Sequence, residues 1–429
     1  MRICYLGEKI MLISKPIGVT REIDRDLSTM LKFREKKTIT DLDLRNKKVL
    51  VRVDFNVPLD KYGKITDSRR IRHTLPTIHY LLNENCRIIL ISHLGRPGGK
   101  FEESLRIDPV YKRLKEYLPF VNVYKANDCI GQEVERQVSE LKKGEILVLE
   151  NPRFHPEEKQ NDPEFARKLA SLADIYVSDA FATAHRKHAS TYGVCSYFKE
   201  KGYGFLMEKE LKFLTQCIEK PVRPLTVILG GKKVEDKAIV VKYLLGLADA
   251  ILIGGGMAYT FLLAKGYSVG KSVKDLSQLS NVKEYLEESN YYNTKIYLPR
   301  DVVVCDELEY PTNIETVPVT EIRENHVGVD IGFETTEMYK KVLSKSGTVI
   351  WNGPMGVFER REFETGTKEI ARHLIEEETY TIIGGGDSAA AFEKFGFQDD
   401  VSFISTGGGA SLEVMKGAML PAIECLSGK

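Results

Sequence analysis

Short apolar runs, rich in β-branched residues, alternate along the chain with amphipathic segments typical of helices. The runs are KKVLVRV, RIILIS, EILVLE, DIYVS, LTVILG, DAILIG, GTVIW, YTIIG and VSFIS. A strand whose apolar residues are continuous rather than alternating is buried on both faces, as in a parallel sheet covered by helices. The pattern therefore predicts an α/β fold in which parallel strands are connected by helices.

The length of the chain and a segment near its middle predict two domains. The sequence has 429 residues, 42% of them hydrophobic, and a domain typically takes roughly 100–200 residues. The stretch FLMEKELKFLTQCIEKPVRP (205–224) predicts an amphipathic helix ended by prolines. We therefore expect two doubly wound parallel-sheet (Rossmann-like) domains joined by this hinge helix. Residues before about 37 are polar and without pattern, which is typical of an appendage.

Composition disfavours several classes of protein. The chain has 62 Lys and Arg residues against 61 Asp and Glu residues, so its net charge of +1 does not favour binding to nucleic acid or to a membrane surface. Its seven cysteines are scattered and form no CxxC motif, which disfavours a disulfide scaffold or a zinc site. No apolar run reaches the roughly 18 residues of a membrane-spanning helix. We expect a cytoplasmic protein with reduced thiols.

The segments that follow strands in the first half are basic. Arg96 follows RIILIS, Arg153 follows EILVLE and Arg186 follows DIYVS, with His93 and His185 nearby in sequence. Ligands of open parallel sheets bind beyond the carboxyl ends of the strands. Because guanidinium groups bind phosphate and carboxylate oxygens in bidentate fashion, three converging arginines predict a site for a small dianion. Taken singly, each arginine could instead pair with a surface carboxylate.

Other polar residues of the first half are ambiguous from spacing alone. Asp54 and Asn56 follow a strand and precede a proline, so they could close a turn or contact a ligand at the same edge of the sheet. Arg69, Arg70 and Arg72 lie at the start of an amphipathic helix. Their spacing does not indicate which of the three is functional.

The loops of the second half are rich in glycine. IIGGGDSAAA (382–391) predicts a tight turn from a strand into a helix, whose free N–H groups bind phosphate. Asp387 would be unfavourable beside a phosphate unless they shared a cation, and Mg²⁺ with nucleotide phosphates fits. STGGGASLE (405–413) predicts a second such turn. Alternatively, glycine triplets let a helix and a strand pack closely, but several in one half make that the weaker account.

The remaining motifs predict phosphoryl transfer. In GGKKVEDK, Lys233 and Lys237 lie four residues apart on one face of a helix start, where lysines neutralise phosphate charge. The sequence contains no Walker motif and no GxGxxG fingerprint, which disfavours a dinucleotide dehydrogenase. Nor does it contain an arrangement typical of covalent or acid–base catalysis. We expect the first half to bind an anionic acceptor, the second to bind Mg-nucleotide, and the halves to close around both.

Over about residues 37–429 the sequence closely resembles the phosphoglycerate kinase family. The motifs RVDFNVP, SHLGRP, SDAFATAHR, ILGGKKVEDK, NGPMGVFE, IIGGGDSA and STGGGASLE occur in family order and spacing. The resemblance implies a hinge-bending glycolytic transferase that moves a phosphoryl group reversibly between ATP and the carboxylate of 3-phosphoglycerate. The products are 1,3-bisphosphoglycerate and ADP, and the implied cofactor is Mg²⁺. A cytoplasmic monomer is also implied.

The resemblance implies domain boundaries as well. An N-terminal extension, disordered or not translated, covers 1–36. A domain that binds 3-phosphoglycerate covers 37–204, and an interdomain helix covers 205–220. A domain that binds Mg-nucleotide covers 221–409, and a segment that returns to the first domain covers 410–429.

Matched position by position, the resemblance assigns roles to single residues. It implies substrate binding by Asp54, Asn56, Arg70, His93, Leu94, Gly95, Arg96, Arg153 and Arg186. It implies nucleotide binding by Lys233, Lys237, Gly256, Gly332, Asn352, Glu359, Gly385, Gly386, Asp387 and Ser388. It implies contact with the migrating phosphoryl group by Gly407, Gly408 and Gly409. Asp387 is the implied Mg²⁺ ligand, and Arg70 and Lys237 are the implied catalytic residues.

Two other functions stay open on the sequence. One is a kinase that forms a different acyl phosphate, on a carboxylated sugar or an amino acid. The other is a nucleotide-sensing or scaffold protein that has lost catalysis, which the presence of Arg70, Lys237 and Asp387 disfavours. The sequence departs from the family pattern at Phe333, where proline is usual, so the wall of the expected adenosine pocket differs there.

Overall fold

The computed structural model describes residues 3–6, 9–12, 32–232 and 234–429. The chain divides into two compact units. The first is Met1–Leu211 together with Gly417–Lys429, and the second is Lys212–Lys416. The helix Phe205–Glu219, where the sequence predicts the hinge helix, contains the point at which the chain passes from one unit to the other.

The first unit is built on a six-stranded sheet in the order β5-β6-β4-β3-β7-β8, with every pair of neighbours parallel. Its strands are β3 (Lys48–Val53), β4 (Arg87–Ile91), β5 (Val123–Lys125), β6 (Ile146–Val148), β7 (Ile175–Asp179) and β8 (Glu200–Tyr203). The short strands β1 (Ile3–Leu6) and β2 (Lys9–Leu12) pair separately and antiparallel. The central strands are buried along almost their whole length, as their continuous apolar sequences predict.

Helices cover this sheet, and one of them begins at a side-chain cap. The helices of the first unit are Arg69–Asn83, Asp108–Tyr117, Gln132–Glu140, Pro156–Gln160, Pro163–Ala170 and Pro421–Glu424. The helix Pro163–Ala170 begins after Asp162, whose side chain accepts a hydrogen bond from the Phe165 N–H at 2.8 Å and so caps the helix. Proline then occupies the first helical position, where no N–H donor is needed.

Residues 32–36 pack on the first unit, although the sequence predicts an extension up to residue 36. Phe33 is buried, and Lys36 Nζ donates to the carbonyl oxygens of Glu424 and Leu426 at 2.7 and 2.8 Å. The Ala422 N–H donates to the carbonyl of Ala184 at 3.1 Å. The C-terminal segment is thus held by the first unit from Gly417 onward, whereas the predicted boundary lies at residue 410.

The second unit contains a parallel six-stranded sheet in the order β11-β10-β9-β15-β16-β17. Its strands are β9 (Leu225–Leu229), β10 (Ala250–Ile253), β11 (Lys295–Tyr297), β15 (Thr348–Asn352), β16 (Tyr380–Gly384) and β17 (Phe403–Ile404). A core of Tyr339, Trp351, Ile370, Leu374 and Phe392 packs between this sheet and its helices. The helices that lie wholly in this unit are Glu235–Leu244, Gly255–Ala264, Leu279–Tyr291, Phe333–Leu343, Thr365–Glu376, Gly386–Lys394 and Gly408–Met415.

A second sheet of this unit has no counterpart among the predicted strands. It is antiparallel, in the order β13-β12-β14. Its strands are β12 (Asp301–Cys305), β13 (Ile314–Pro318) and β14 (Val327–Ile331). Only one residue of the outer strand IETVP is buried, and its two central polar residues interrupt the apolar ones, so it lacks the continuous apolar signature of the parallel strands. The predicted α/β class is nevertheless confirmed, since each apolar run of the sequence forms a strand of one of the two parallel sheets.

Candidate active site

Loops from several strands of the first unit meet at the carboxyl edge of its sheet. Asp54 follows β3, His93 follows β4 and Arg153 follows β6, and parallel strands place these loops along one edge. Gly95 connects the loops through its backbone. Its N–H donates to Asn56 Oδ1 at 2.8 Å, and its carbonyl accepts from Arg153 Nη1 at 2.8 Å. Asn56, Gly95 and Arg153, which the sequence places after three different strands, therefore lie together in the structure.

Arg70 contacts this edge from the helix Arg69–Asn83. Its Nη1 donates to Oδ2 of Asp54, whose carboxylate is 2% exposed. By contrast, Arg69 Nη2 lies 2.8 Å from Oδ2 of Asp67, and Arg72 is exposed. Of the three arginines that spacing could not separate, Arg70 is the one paired with a predicted site residue.

Five arginines interact electrostatically with groups at this edge. We call Arg52, Arg70, Arg96, Arg153 and Arg186 the arginine cluster. Burial and then the charge of Arg52 lower the pKa of Arg153 to about 10. Burial, with Arg96 and Arg52 nearby, also lowers the pKa of Arg186. These shifts indicate positive charge held partly out of water, which favours the binding of an anion.

Two histidines at the arginine cluster are neutral at pH 7. Burial, and then the charges of the surrounding arginines, lower the pKa of His93 well below its usual range. The same two causes lower the pKa of His188 to about 4. The Nδ1 atom of His93 lies 3.2 Å from Arg52 Nη2 and 3.8 Å from Asp54 Oδ1. A neutral imidazole there can take part in hydrogen bonds, but it adds no charge.

The other predicted residues of the first unit have distinct surroundings. The Leu94 side chain is buried, and its carbonyl accepts from Asn151 Nδ2 at 2.7 Å, which fixes the loop after β4. Arg96 is exposed. Arg186 Nε lies 3.2 Å from Nε2 of His185.

In the second unit, glycine turns bring strand ends into direct backbone contact. The Gly230 N–H donates to the Asn352 carbonyl at 3.0 Å, and the Gly231 N–H donates to the Pro354 carbonyl at 2.8 Å. A Cβ atom on Gly230 would lie 2.2 Å from the Pro354 carbonyl oxygen, and one on Gly254 would lie 2.4 Å from Met355 Sδ. Close packing is therefore the reason for these two glycines.

Lys237 lies at the same edge, in the helix Glu235–Leu244. Its Nζ donates to the carbonyl oxygens of Gly230 at 2.6 Å and Asn352 at 3.3 Å, at the carboxyl ends of β9 and β15. The side chain thus places its charge beside the glycine turns, as predicted for a phosphate contact. Lys233, the other predicted lysine, lies outside the described residues.

The turn after β16 leads into the helix Gly386–Lys394. Gly385 adopts a φ of +95°, a conformation that favours glycine, and a Cβ on Gly386 would meet nothing within 4 Å. Ser388 is buried and its Oγ accepts from the Gly353 N–H at 2.6 Å, whereas Asp387 is exposed. The helix start is thus open, and its N–H groups suit an anion.

A buried amide lies next to this turn. Asn352 is 2% exposed, and its Nδ2 has no hydrogen-bond partner among the described residues. The strand register pairs Asn352 with Gly384, and a Cβ on Gly384 would lie 3.2 Å from that Nδ2 atom. An unsatisfied donor beside an open helix start fits phosphate oxygens, and the exposed carboxylate of Asp387 is a hard oxygen ligand that suits a divalent cation.

The remaining predicted residues of the second unit lie at other helix starts and loops. Gly407 precedes the helix Gly408–Met415, where a Cβ on Gly408 would lie 2.8 Å from the Gly385 Cα, so the two phosphate-type turns touch. Gly409 in the first turn is exposed. Gly256 lies in the first turn of Gly255–Ala264.

Gly332 precedes the helix Phe333–Leu343 and packs on a buried carboxylate. A Cβ at this position would lie 2.2 Å from Asp301 Oδ2, and Asp301 caps the helix by accepting from the N–H groups of Glu334 and Thr335 at 3.0 and 2.7 Å. The Phe333 side chain that follows is 75% exposed. Glu359 is exposed, and its carbonyl accepts from Lys394 Nζ at 3.3 Å.

Comparison with known proteins identifies the family. A family model described as "Phosphoglycerate kinase" matches residues 39–418. The chain belongs to the phosphoglycerate kinase family. The phosphoglycerate kinase of Moorella thermoacetica is 50% identical over 394 residues, covering 92% of this chain and 100% of that protein. That of Dictyoglomus turgidum is 51% identical over 400 residues, with the same coverage of 92% and 100%.

Solved structures agree with this assignment. The structure of phosphoglycerate kinase from Coxiella burnetii matches with a TM-score of 0.78 and 38% identity, covering 91% of this chain and 98% of that one. The Pyrococcus horikoshii phosphoglycerate kinase matches with a TM-score of 0.79 and 34% identity, covering 91% and 98%. The predicted family, fold class and function are thereby confirmed.

As a member of the phosphoglycerate kinase family, the protein is a glycolytic phosphotransferase with a carboxyl group as acceptor. Its substrates are ATP or ADP and the phosphoglycerates, and the family uses a divalent metal with ATP. No helix in the described part of the chain is long and apolar enough to cross a membrane.

Buried charged residues near the phosphoglycerate kinase site were not predicted. Arg52, inside β3, is fully buried, and its Nε donates to Ser190 Oγ at 2.9 Å. Glu158, also fully buried, accepts from Ser190 Oγ at 2.6 Å and from the Ser190 N–H at 2.9 Å. Ser190 therefore links a buried cation to a buried anion. One sequence feature could have revealed Arg52, namely an arginine inside the apolar run KKVLVRV. A fully buried charge requires partners, so such an arginine indicates a buried polar network.

Asp330 is a third buried charged residue that was not predicted, and its burial predicts a pH dependence of stability. Burial raises its pKa to about 8, although its oxygens accept from the N–H groups of Gly366 and Ile331 at 2.6 and 2.9 Å. The unfolded group ionises near pH 4. Between about pH 4 and 8 the folded state therefore holds a proton that the unfolded state loses, so the free energy of unfolding falls as the pH rises.

Asp330→Asn should remove that part of the pH dependence. We expect the free energy of unfolding of the wild type, relative to the variant, to fall by up to about 1 kcal/mol per pH unit across this window. Urea denaturation of both proteins at pH 5, 6 and 7 measures the difference. The changed hydrogen bond to Gly366 shifts the free energy of unfolding of the variant by an amount that does not depend on pH. The quantity to compare is therefore the slope of the free energy of unfolding against pH. If the free energies of unfolding of the two proteins changed equally with pH, Asp330 would not be the source of the pH dependence.

Proposed function

We propose that the two sheet edges divide the reaction between them, with 3-phosphoglycerate at the arginine cluster and Mg-nucleotide at the glycine turns of the second unit. The observation that carries the proposal is the arginine cluster itself. Burial and neighbouring arginines lower the pKa of Arg153 and of Arg186, and the two histidines of the cluster are neutral. A phosphate and a carboxylate on one small molecule supply the negative charge that such an edge lacks.

We assign the acceptor contacts from hydrogen-bonding chemistry. Arg96, Arg153 and Arg186 hold the phosphate that does not migrate, because guanidinium groups suit its oxygens. Asp54 and Asn56 contact the hydroxyl and carboxyl region, with His93, Leu94 and Gly95 forming the wall. Arg70, which is fixed by its ion pair with Asp54, holds the reacting carboxylate.

We assign the nucleotide contacts to the second unit. Lys233, Lys237, Gly385, Gly386 and Ser388 hold the phosphates, and the amide of Asn352, for which the resemblance implies nucleotide binding, contacts them from beside the same turn. Gly256, Gly332 and Glu359 line the nucleoside pocket, and Gly407, Gly408 and Gly409 face the migrating group. Asp387 binds Mg²⁺. Bound Mg²⁺ neutralises charge on the nucleotide phosphates. The open helix start and the unsatisfied amide of Asn352 support this placement.

The reaction needs positioning and positive charge rather than proton transfer. An oxygen of the acceptor carboxylate, already ionised, attacks the γ-phosphorus of ATP. The bond from that phosphorus to its bridging oxygen breaks, and the electron pair stays with ADP. Arg70 orients the attacking carboxylate, and Lys237 stabilises charge on the phosphoryl oxygens.

A coupled assay tests the proposed acceptor. The protein receives Mg-ATP and 3-phosphoglycerate, with glyceraldehyde-phosphate dehydrogenase and NADH reporting the acyl phosphate. We expect rapid NADH loss with 3-phosphoglycerate and none above background when acetate or aspartate replaces it, with hydroxamate capture of any acyl phosphate as the readout for those acceptors. Turnover only with the other carboxylates would assign the acceptor to a different acyl-phosphate kinase.

Asp387→Asn tests the metal ligand. Because the variant loses a carboxylate but keeps the shape of the side chain, we expect the Mg²⁺ concentration for half-maximal turnover to rise about 10-fold or more. Asp399→Asn, an exposed carboxylate beyond the same helix, is the matched control and should leave the titration unchanged. Equal Mg²⁺ titrations for the two variants would remove Asp387 from the metal site.

We also propose a cytoplasmic monomer that uses neither a nucleic acid nor a membrane as partner. The near-zero net charge of +1 supports the absence of a nucleic-acid or membrane-surface partner. Sedimentation of the purified protein at micromolar concentration tests the monomer, and a stable dimer would refute it.

A further inference from the structure

Two thiols of the first unit lie in contact although they are 230 positions apart in the chain. The Sγ atoms of Cys195 and Cys425 are 2.6 Å from each other. Both also lie near the carbonyl oxygen of Thr191, at 4.0 and 3.9 Å. A disulfide bond is about 2.05 Å long, so the two sulfur atoms have to approach by only about half an ångström to form one. We propose that Cys195 and Cys425 form a reversible disulfide that ties the C-terminal segment to the first unit.

The two cysteines differ in access, which gives the reaction an order. Cys425 is partly exposed, whereas Cys195 is 1% exposed. A small-molecule disulfide therefore reacts at Cys425. The Cys425 thiolate attacks it, forms a mixed disulfide and releases one thiol. The Cys195 thiol then loses its proton and attacks the Cys425 sulfur, which releases the second thiol. The protein loses two hydrogens, and the small disulfide is reduced to two thiols.

The surroundings of Cys195 suit the role of the second, resolving thiol. Burial raises its pKa well above the usual range, so it is protected from direct oxidation by solvent species. Lys201 lies close by, with its Nζ donating to the carbonyl oxygens of Cys195 and Phe198 at 2.8 and 2.9 Å. This cation favours the thiolate once Cys425 carries the mixed disulfide.

The bond would reinforce contacts that already hold the C-terminal segment. The Ser427 N–H donates to the Lys201 carbonyl at 3.2 Å, and the Ala422 N–H donates to the Ala184 carbonyl at 3.1 Å. Thr191, whose carbonyl faces both sulfurs, donates its hydroxyl to the Arg186 carbonyl at 3.2 Å. Oxidation would thus fix the last residues of the chain to the loop that carries Arg186.

Four other cysteines whose side chains the structure describes do not form such a pair. Cys86, Cys129, Cys217 and Cys305 are buried and free, and none of these four has a recorded sulfur–sulfur contact. Among the cysteines with described side chains, the proposed oxidation is therefore specific to one pair, and one cross-linked peptide is the expected product.

Mass spectrometry and thermal unfolding of the full chain test the proposal. The protein is incubated with oxidised glutathione or with dithiothreitol. We expect the oxidised sample to be lighter by two hydrogens, and a digest without reductant to contain one peptide pair joined through Cys195 and Cys425. Because the bond closes a long loop, the Tm should rise by about 5 °C or more after oxidation. Dithiothreitol should reverse both changes.

Two variants make the outcome decisive. Cys195→Ser should stop at a glutathione adduct on Cys425, and Cys425→Ser should acquire neither adduct nor cross-link, with the Tm of both insensitive to oxidation. A glutathione adduct on Cys425 of the wild type without a cross-link would overturn the proposal, as would two thiols that stay free under the oxidant.

Discussion

Arg70→Ala is expected to lower kcat/KM for phosphoryl transfer to 3-phosphoglycerate by about 10³-fold or more. The guanidinium is fixed by its ion pair with Asp54 at the edge where the loops of β3, β4 and β6 meet. Alanine removes the group that orients the reacting carboxylate and leaves a buried carboxylate, at Asp54, facing the substrate. The coupled assay, run over a range of 3-phosphoglycerate concentrations, separates kcat from KM.

Arg72→Ala is the matched control for this prediction. Arg72 lies two residues further along the same helix and is exposed, so its loss should leave turnover within about twofold of the wild type. Urea midpoints of both variants show whether either loss reflects unfolding. The charge of Arg186 also acts on Asp54, so Arg70→Ala should still fold. Near wild-type turnover of Arg70→Ala would remove the residue from the reaction.

Most of the parallel strands could be predicted because burial on both faces leaves a continuous apolar run in the sequence, whereas the edge strands β5, β8 and β11 were not predicted. KKVLVRV and LTVILG show this for β3 and β9, which are buried almost throughout. The antiparallel strands were not predicted. The outer strand β13, Ile314–Pro318, has one buried residue and no continuous apolar run, so its sequence does not indicate a buried strand. The central strand β12, Asp301–Cys305, does contain a largely buried apolar run, VVVC, and was missed.

The placement of the candidate site residues together could be predicted because a parallel sheet places its strand ends at one edge. Gly95 and Asn56 show the result, since loops from different strands meet in one hydrogen bond. Arg52 and Glu158 could not be predicted in the same way. Their shared partner, Ser190, lies 138 and 32 positions away in the chain. A hydrogen bond between such separated residues forms only in the folded core and leaves no local sequence pattern.

The glycines show a further limit of sequence reasoning. Gly230 and Gly386 each stand in a glycine-rich motif after a buried strand. Gly230 is required because the Pro354 carbonyl fills the place of a Cβ, whereas the space at Gly386 is open. One glycine thus serves packing, and the other leaves a helix start accessible. The alternative of close packing, stated for the glycine triplets, holds at Gly254, where a Cβ would lie 2.4 Å from Met355 Sδ.

Lys237→Ala is expected to lower kcat by about 10²–10³-fold while nucleotide affinity changes by much less. The ammonium is held by the carbonyl oxygens of Gly230 and Asn352 at 2.6 and 3.3 Å. The register pairs Asn352 with Gly384, at the start of the turn into the helix Gly386–Lys394. The charge therefore lies beside the proposed phosphate turn, where it stabilises the migrating group most strongly in the transition state.

Calorimetry of Mg-ADP binding alongside the coupled assay distinguishes the two effects. Lys242→Ala, an exposed lysine on the same helix, is the matched control and should change neither quantity beyond about twofold. If Lys237→Ala weakened nucleotide binding and kept kcat, the lysine would contribute to the ground state alone. An unchanged kcat and an unchanged affinity together would show that its two carbonyl contacts serve only to hold the strand ends. A loss confined to kcat would show that the charge acts on the group in transfer.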